Sequence, residues 1–271
     1  MAGPPVVVLD IGASKVLCLV GEAHDDQVKI LGMGQSPCAG FRRSAIIDMT
    51  KVVEAIRHAV REAERAAGLK ITGAFVGMAG EGIDAVPHCS TVTISGNSTP
   101  IDEEDVQRAL TAAEQESATT PYTVMHRIVQ SYAVDGEPVQ NPLWLHGNRL
   151  AIETLTVTAS NHVCTTTERA ATEAGLDIAG FLLEPLAAAE TTLSVDEREM
   201  GVGLLDIGAG TCDLALFYGP LRHLVEIPFG GEDITRDLSM VLNISPREAE
   251  QLKLDYGSVC CHSSEGDETL T

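Results

Sequence analysis

The chain has 271 residues, of which 44% are hydrophobic and only 4% aromatic, so aliphatic side chains must fill its core. Its 39 acidic residues outnumber 18 Lys and Arg, which gives a formal net charge of -21. This charge repels nucleic acid and anionic lipid, and we see no basic cluster that would offset it, so we expect no nucleic-acid partner. No signal peptide is recognisable, and no apolar run approaches the ~20 residues of a membrane span. The composition therefore predicts a soluble cytoplasmic protein.

The seven cysteines are scattered along the chain, and their number is odd, which favours reduced thiols over a disulfide framework. Cys260, Cys261 and His262 are adjacent. A zinc site needs four ligands, and no Cys-x-x-Cys pair supplies the others, so we expect no zinc here.

The first elements are predicted to be a three-stranded meander followed by a helix. Continuous apolar runs indicate buried strands, and apolar residues at helical spacing that end before Gly68 indicate a helix. The predicted strands cover residues 6–10, 16–20, 28–33 and 74–78, and the predicted helix covers residues 51–67.

Residues 84–161 are predicted to form a separate small α+β subdomain, because about 80 residues is too long for a loop. Strands are expected at 90–94, 122–134 and 150–158. A helix capped by Asp102 is expected after the first of them.

The opening pattern then returns. Helices are predicted at 162–174 and 185–193, strands at 202–206, 214–217 and 223–227, and a further helix at 233–242. Because the order of meander and helix occurs twice, the sequence predicts an α/β protein with a duplicated architecture.

The two meanders share a turn that suits phosphate. The first turn reads Leu9-Asp-Ile-Gly-Ala-Ser-Lys15, and the second reads Leu205-Asp-Ile-Gly-Ala-Gly-Thr211. Small residues let backbone N–H groups approach an anion, while side-chain hydroxyl and ammonium groups add donors. We therefore predict that a polyphosphate binds at Asp10, Gly12, Ala13, Ser14, Lys15, Asp206, Gly208, Ala209, Gly210 and Thr211.

The two carboxylates of these turns suit a magnesium ion. Asp10 and Asp206 each end an apolar strand, and hydrated Mg²⁺ prefers few carboxylates and several waters. The alternative for either turn alone is an ordinary glycine turn, in which the Asp caps the loop. Two matched copies favour the phosphate interpretation.

Three further features extend the predicted site. Gly230 and Gly231 precede a helix whose free N–H groups suit phosphate, although a simple strand-to-helix connection also fits. Glu250 and Lys253 share one helical face and suit a ribose and adenine, with a surface ion pair as the alternative. Glu184 precedes a helix and suits orientation of an attacking water, with a helix-dipole role as the alternative.

These motifs together resemble the actin, heat-shock-chaperone and sugar-kinase superfamily. The resemblance rests on both Asp-Ile-Gly turns and on Glu184-Pro-Leu-Ala-Ala-Ala189, Phe229-Gly-Gly-Glu-Asp233 and Ala249-Glu-Gln-Leu-Lys253. It implies duplicated ribonuclease-H-like domains that hold ATP and Mg²⁺ between them, with Asp10 and Asp206 facing the metal through water and Glu184 as the catalytic residue. It leaves open whether ATP is hydrolysed.

Within this superfamily the inserted region is similar to the FtsA family of bacterial cell-division proteins. The similar segments are His126-Arg-Ile-Val-Gln-Ser-Tyr-Ala-Val-Asp135, Asn141-Pro142 and Gly147-Asn-Arg-Leu150. The resemblance implies self-association through the insert and attachment of FtsZ filaments to the cytoplasmic face of the membrane at the division septum. It also implies contacts with other division proteins.

The resemblance divides the chain into a first lobe (1–83 and 162–199), the FtsA-type insert (84–161), the start of a second lobe (200–244) and a truncated start of its subdomain (245–271). It implies that an adenosine loop, the main FtsZ contact and a membrane helix lie beyond residue 271, so we expect weak ATP binding at best. The alternatives are an actin-like scaffold of type IV pilus assembly and a small-metabolite kinase of the same fold. A chaperone-type ATPase is disfavoured because the insert differs.

Overall fold

The structure is a computed structural model that describes residues 3–24, 27–94, 100–117 and 122–259. Cys260, Cys261 and His262 lie outside these residues. The strands are β1 (Val6–Ile11), β2 (Lys15–His24), β3 (Gln27–Pro37), β4 (Phe41–Arg42), β5 (Ala45–Ile46), β6 (Gly73–Met78), β7 (Ile83–Thr93), β8 (Tyr122–Val134), β9 (Glu137–Val139), β10 (Arg149–Ser160), β11 (Asp177–Leu183), β12 (Val202–Ile207), β13 (Cys212–Phe217) and β14 (Leu221–Ile227).

The helices are α1 (Met49–Ala67), α2 (Glu103–Ser117), α3 (Asn161–Ala174), α4 (Glu184–Thr192), α5 (Val195–Met200), α6 (Gly231–Leu242) and α7 (Pro246–Tyr256). Within the described ranges, none of them is both long and apolar enough to cross a membrane.

The first lobe is built on a five-stranded sheet in the order β11-β6-β1-β2-β3. β1, β2 and β3 are antiparallel neighbours, whereas β6 and β11 run parallel to β1. Helix α1 covers this sheet because its apolar residues share one face, and its ends are fixed by Asp48, which accepts from the Lys51 N–H, and by left-handed Gly68. The core therefore lies between α1 and the β1–β3 meander.

The inserted unit is a four-stranded sheet in the order β7-β10-β8-β9, with α2 against one face. Asp102 and Asp105 cap α2 reciprocally through each other's N–H groups. Strand β8 carries two bulges, at Met125 and Gln130, where the register against β10 shifts by one residue.

The second meander is a three-stranded antiparallel sheet, β12-β13-β14, followed by α6 and α7. Its inner face contributes Ala215, Phe217 and Leu221 to a buried cluster that also contains Leu183 of β11 and Leu155 of the insert. One core thus joins both lobes and the inserted unit.

The main elements predicted from the sequence are present, with most ends within a few residues of those expected, although β7 begins at Ile83 rather than at residue 90. Strand β11, the short β4, β5 and β9 strands and helix α5 were not predicted. In β11 the signal is weak because Gly180 and a register shift beside it interrupt the apolar run before Phe181.

Close packing of β3 under α1 depends on glycine at position 34. A Cβ added there would lie 2.6 Å from the Ala63 nitrogen and 2.8 Å from the Glu62 Cβ. Gly34→Ala should therefore lower the free energy of unfolding by about 1–3 kcal/mol, because α1 must move away from the sheet. Urea denaturation measures this. Gly203→Ala on edge strand β12 is the matched control, since the nearest atom to its added Cβ is 3.4 Å away; equal effects of the two substitutions would contradict the prediction.

Candidate functional site

The two Asp-Ile-Gly segments form the same hairpin turn in both lobes. The Gly12 N–H donates to the Lys15 carbonyl at 2.9 Å, and the Gly208 N–H donates to the Thr211 carbonyl, also at 2.9 Å. The pairing register is the same, since Asp10 lies opposite Leu17 and Asp206 lies opposite Asp213. The repeated sequence thus folds into a repeated local structure.

Both turns line one cavity of about 390 Å³ between the lobes. The structure brings together eleven of the residues predicted for the site, which are Asp10, Gly12, Ala13, Ser14, Lys15, Glu184, Asp206, Gly208, Ala209, Gly210 and Thr211. Four predicted residues, Gly230, Gly231, Glu250 and Lys253, do not line this cavity.

The N–H groups at the start of α6 are not free, contrary to our expectation. Those of Gly231 and Glu232 donate to the carbonyls of Gly208 and Ala209 at 3.0 and 2.8 Å. The Gly230 N–H donates to the Asp233 carboxylate at 2.8 Å. A Cβ on Gly230 would lie 2.8 Å from the Gly208 oxygen, so glycine permits this close approach. The start of α6 therefore holds the second hairpin through hydrogen bonds to the carbonyls of Gly208 and Ala209.

Glu250 and Lys253 of α7 form hydrogen bonds with residues of α6. Their side chains form an ion pair at 2.6 Å, and the Lys253 ammonium donates to the Gly231 carbonyl at 3.0 Å and to the Thr235 hydroxyl at 2.9 Å. The Thr235 hydroxyl in turn donates to the Glu250 carboxylate. These contacts join α7 to the start of α6, and a role of the pair in binding ribose and adenine stays a prediction.

Four carboxylates, those of Asp10, Glu184, Asp206 and Asp213, line the cavity. Burial, followed by the charges of Asp10, Asp206 and Asp213, raises the pKa of Glu184 to about 8. Burial also raises the pKa of Asp10, and Lys15 opposes this rise. The cavity therefore disfavours full ionisation of its carboxyl groups, which is the electrostatic setting that a cation relieves.

Sequence reasoning missed Asp213, which lies in this group. It is buried on β13, and burial raises its pKa to about 6, although a hydrogen bond from the Gly80 N–H opposes the rise. That bond, 3.1 Å long, joins the first lobe to the second. A single charged residue inside the apolar run of β13 was the available signal.

Asp213 also belongs to a row of three acidic residues across the second sheet. Asp206, Asp213 and Glu226 are direct cross-strand neighbours, so their side chains share one face. The Oε1 atom of Glu226 is buried and accepts no hydrogen bond within the described structure. Like charges placed opposite one another destabilise a sheet, so this row lowers the stability of the second sheet.

Arg43 is the second residue that sequence reasoning missed. It lies in the β4–β5 turn with φ 44°, beside Ser44 with φ 59°, both in the left-handed region. Arg43 lines the cavity, and its guanidinium reaches the Asp233 carboxylate of the second lobe at 3.4 Å. Arg43 and Lys15 thus bring positive charge to a cavity that is otherwise acidic.

The residues present fit a magnesium–polyphosphate complex better than a bare metal ion. In the described part of the chain, no group of three or more His, Cys, Asp or Glu side chains is placed to hold an ion directly. Two opposed turns with small residues, two cations and spaced carboxylates suit an anion that carries a hydrated cation.

The architecture defines an actin-like α/β protein with an inserted domain. A solved PilM–PilN type IV pilus biogenesis complex aligns with TM-score 0.68 and 16% identity over 93% of this chain and 70% of that one. The ethanolamine utilization protein EutJ from Carboxydothermus hydrogenoformans aligns with TM-score 0.52 and 16% identity over 94% of this chain and 62% of that one. At these identities the likeness concerns the fold alone.

The chain belongs to the FtsA family. The model "Cell division protein FtsA" matches residues 203–271, and "SHS2 domain inserted in FTSA" matches residues 80–158. Curated FtsA proteins of Pseudomonas aeruginosa, Bacillus subtilis and Escherichia coli K12 are 35%, 36% and 32% identical over 99%, 97% and 93% of this chain. The matched regions cover 65%, 60% and 60% of those relatives.

The raised pKa of Glu184 predicts a pH-dependent effect on stability. Between its ordinary pKa of 4.5 and about 8, the folded chain holds a proton that the unfolded chain releases, so stability falls as pH rises through this window. Glu184→Gln should therefore raise the free energy of unfolding by roughly 1–4 kcal/mol at about pH 9 and change it little at about pH 4. Urea denaturation at both pH values measures the difference.

The matched control is Glu54→Gln, because Glu54 is an exposed carboxylate on α1. It should leave stability unchanged at both pH values. A Glu184→Gln variant that behaves like this control would show that the cavity does not perturb Glu184.

Proposed function

We propose that this chain is the nucleotide-binding part of an actin-like cell-division protein that binds ATP with Mg²⁺ between its two hairpin turns. The observation that carries the proposal is that two copies of one turn, distant in sequence, line a single cavity together with Glu184. Backbone N–H groups at such turns suit phosphate oxygens, and Lys15 and Arg43 balance the added negative charge.

The residues divide the work of phosphoryl transfer between positioning and charge. The turns at Gly12 and Gly208 would hold the phosphates, and Asp10 and Asp206 would hold the hydrated cation through its waters. Bound Mg²⁺ supplies charge neutralisation of the phosphate oxygens. With that positive charge nearby, Glu184 would be ionised and would accept a hydrogen bond from a water, which it would thereby orient. We propose slow ATP hydrolysis by this arrangement.

Family membership supports the wider proposal. Residues 84–161 form the inserted subdomain through which copies self-associate, and residues 1–83 with 162–199 form the first lobe. Residues 200–244 begin the second lobe, and residues 245–271 begin its subdomain. In the whole protein we propose attachment of FtsZ filaments to the cytoplasmic face of the membrane at the division septum, with contacts to other division proteins. The net charge of -21 argues against nucleic acid as a partner.

Removal of the Asp206 carboxylate tests the nucleotide proposal. Asp206→Asn should weaken Mg²⁺-dependent ATP binding by about 10- to 100-fold, because the amide keeps the shape of the side chain but loses the charge that holds the metal's water. Calorimetric titration with Mg-ATP, and with ATP in the presence of EDTA, measures the effect.

Asp196→Asn is the control, because Asp196 is exposed on α5 away from the cavity. Unchanged Mg-ATP affinity in Asp206→Asn would remove Asp206 from the site. Incubation of labelled ATP with candidate metabolites separates the proposal from a kinase, which would yield a phosphorylated metabolite rather than free phosphate.

A further inference from the structure

A polar contact joins the inserted unit to the residue that precedes Glu184. The Leu183 N–H donates to the Nε2 atom of His126 on β8 at 2.9 Å. Leu183 is almost fully buried and is the N-cap residue of α4, whose first residue is Glu184. The N–H of this N-cap residue lies before the helix and outside its hydrogen-bond pattern, so the Leu183 N–H takes its partner from another element.

The position of β11 explains why this partner comes from the insert. β11 is the edge strand of the first sheet and pairs with β6 on one side, where Leu183 lies opposite Met78. Its other edge faces β8. The imidazole of His126 therefore satisfies a backbone donor on the free edge of β11, at the point where the chain turns into the cavity.

A second contact ties the same strand to the second lobe. The Gln130 side-chain amide donates to the Leu221 carbonyl at 2.9 Å, at the first residue of β14. Gln130 is itself the unpaired residue of one β8 bulge, and His126 adjoins the other at Met125. Bulges redirect side chains, and here the polar groups beside both bulges contact elements outside the insert, β11 of the first lobe and β14 of the second.

The surrounding packing makes the contact rigid. Leu183 shares a buried cluster with Leu155 and Val157 of the insert and with Phe217 and Leu221 of the second lobe. A displacement of β8 therefore moves the Leu183 backbone rather than closing a gap, because a close-packed core transmits strain.

We infer that His126 is a positioning residue that holds Glu184 in place and makes the nucleotide site sensitive to the position of the inserted unit. The inference rests on the proposed function, and it adds a route by which self-association through the insert changes turnover. Burial lowers the pKa of His126, in keeping with a neutral ring whose Nε2 accepts a hydrogen bond.

Two substitutions at His126 separate hydrogen bonding from volume. His126→Leu fills similar space and removes the hydrogen-bond acceptor. In His126→Gln, the side-chain Oε1 atom reaches about the position of the histidine Nε2 atom, so a hydrogen-bond acceptor is retained. His126→Leu should reduce kcat for ATP hydrolysis by about 10- to 100-fold with KM nearly unchanged, since small misplacements near reacting groups have effects of this size. His126→Gln should restore most of the rate.

Hydrogen exchange provides a readout that is independent of activity. The Leu183 amide should exchange at least about tenfold faster in His126→Leu than in the wild-type chain, and near the wild-type rate in His126→Gln. His223→Leu, at an exposed position of β14 outside both the insert and the cavity lining, should alter neither exchange nor turnover. Unchanged exchange in α1 excludes general unfolding as the cause.

The outcomes distinguish the two proposals. If the wild-type chain hydrolyses ATP and His126→Leu matches it in kcat and Leu183 exchange, the inference fails and the proposed function stands. If Leu and Gln reduce kcat equally, the hydrogen bond is not the cause and the inference also fails. If neither this chain nor the full-length protein binds Mg-ATP, the proposed function fails, and with it the claimed effect on turnover, while the exchange result still decides whether His126 holds Leu183.

Discussion

The cavity depends on one buried cluster that no single part of the molecule supplies. Leu155 and Val157 come from the insert, Leu183 from the last strand of the first sheet, and Phe217 and Leu221 from the second meander. Burial of large aliphatic and aromatic side chains contributes about 1.5–3 kcal/mol each, so the cluster fixes the relative positions of the three units more firmly than the few polar contacts between them. The placement of the two phosphate-type turns relative to each other follows from this packing.

The fold was largely predictable because its main signals are local. Apolar runs for β1 and β12, helical spacing in α1 and left-handed Gly68 each depend on neighbouring residues. Strand β11 was missed because its identity is set by partners far along the chain, β6 on one edge and β8 near the other. Pairing between distant segments leaves little trace in a short run such as Phe181-Leu-Leu183.

In the candidate site, too, features set by neighbouring residues were predictable, and features set by distant residues were not. Both turns were predictable from a repeated motif, and Glu184 from its place before a helix. Asp213 was not predictable, because it joins the site through its cross-strand pairing with Asp206. Arg43 was not predictable either, because its turn contacts Asp233 of the other lobe. The expectation of free N–H groups at Gly231 was wrong for a related reason. Sequence identifies an unpaired helix start but not the carbonyl of Gly208 that lies within 3.0 Å of it.

The row formed by Asp206, Asp213 and Glu226 has a consequence for protein engineering. Three acidic residues on adjacent strands repel one another, and replacement of any of them by a neutral residue relieves that repulsion. Selection for heat resistance alone, such as a thermal-shift screen without ligand, would favour such replacements, and at Asp206 and Asp213 it would remove groups that line the cavity. Variants of this chain intended for structural work should therefore be selected in the presence of Mg-ATP, the proposed ligand. Stability and ligand binding are then optimised together.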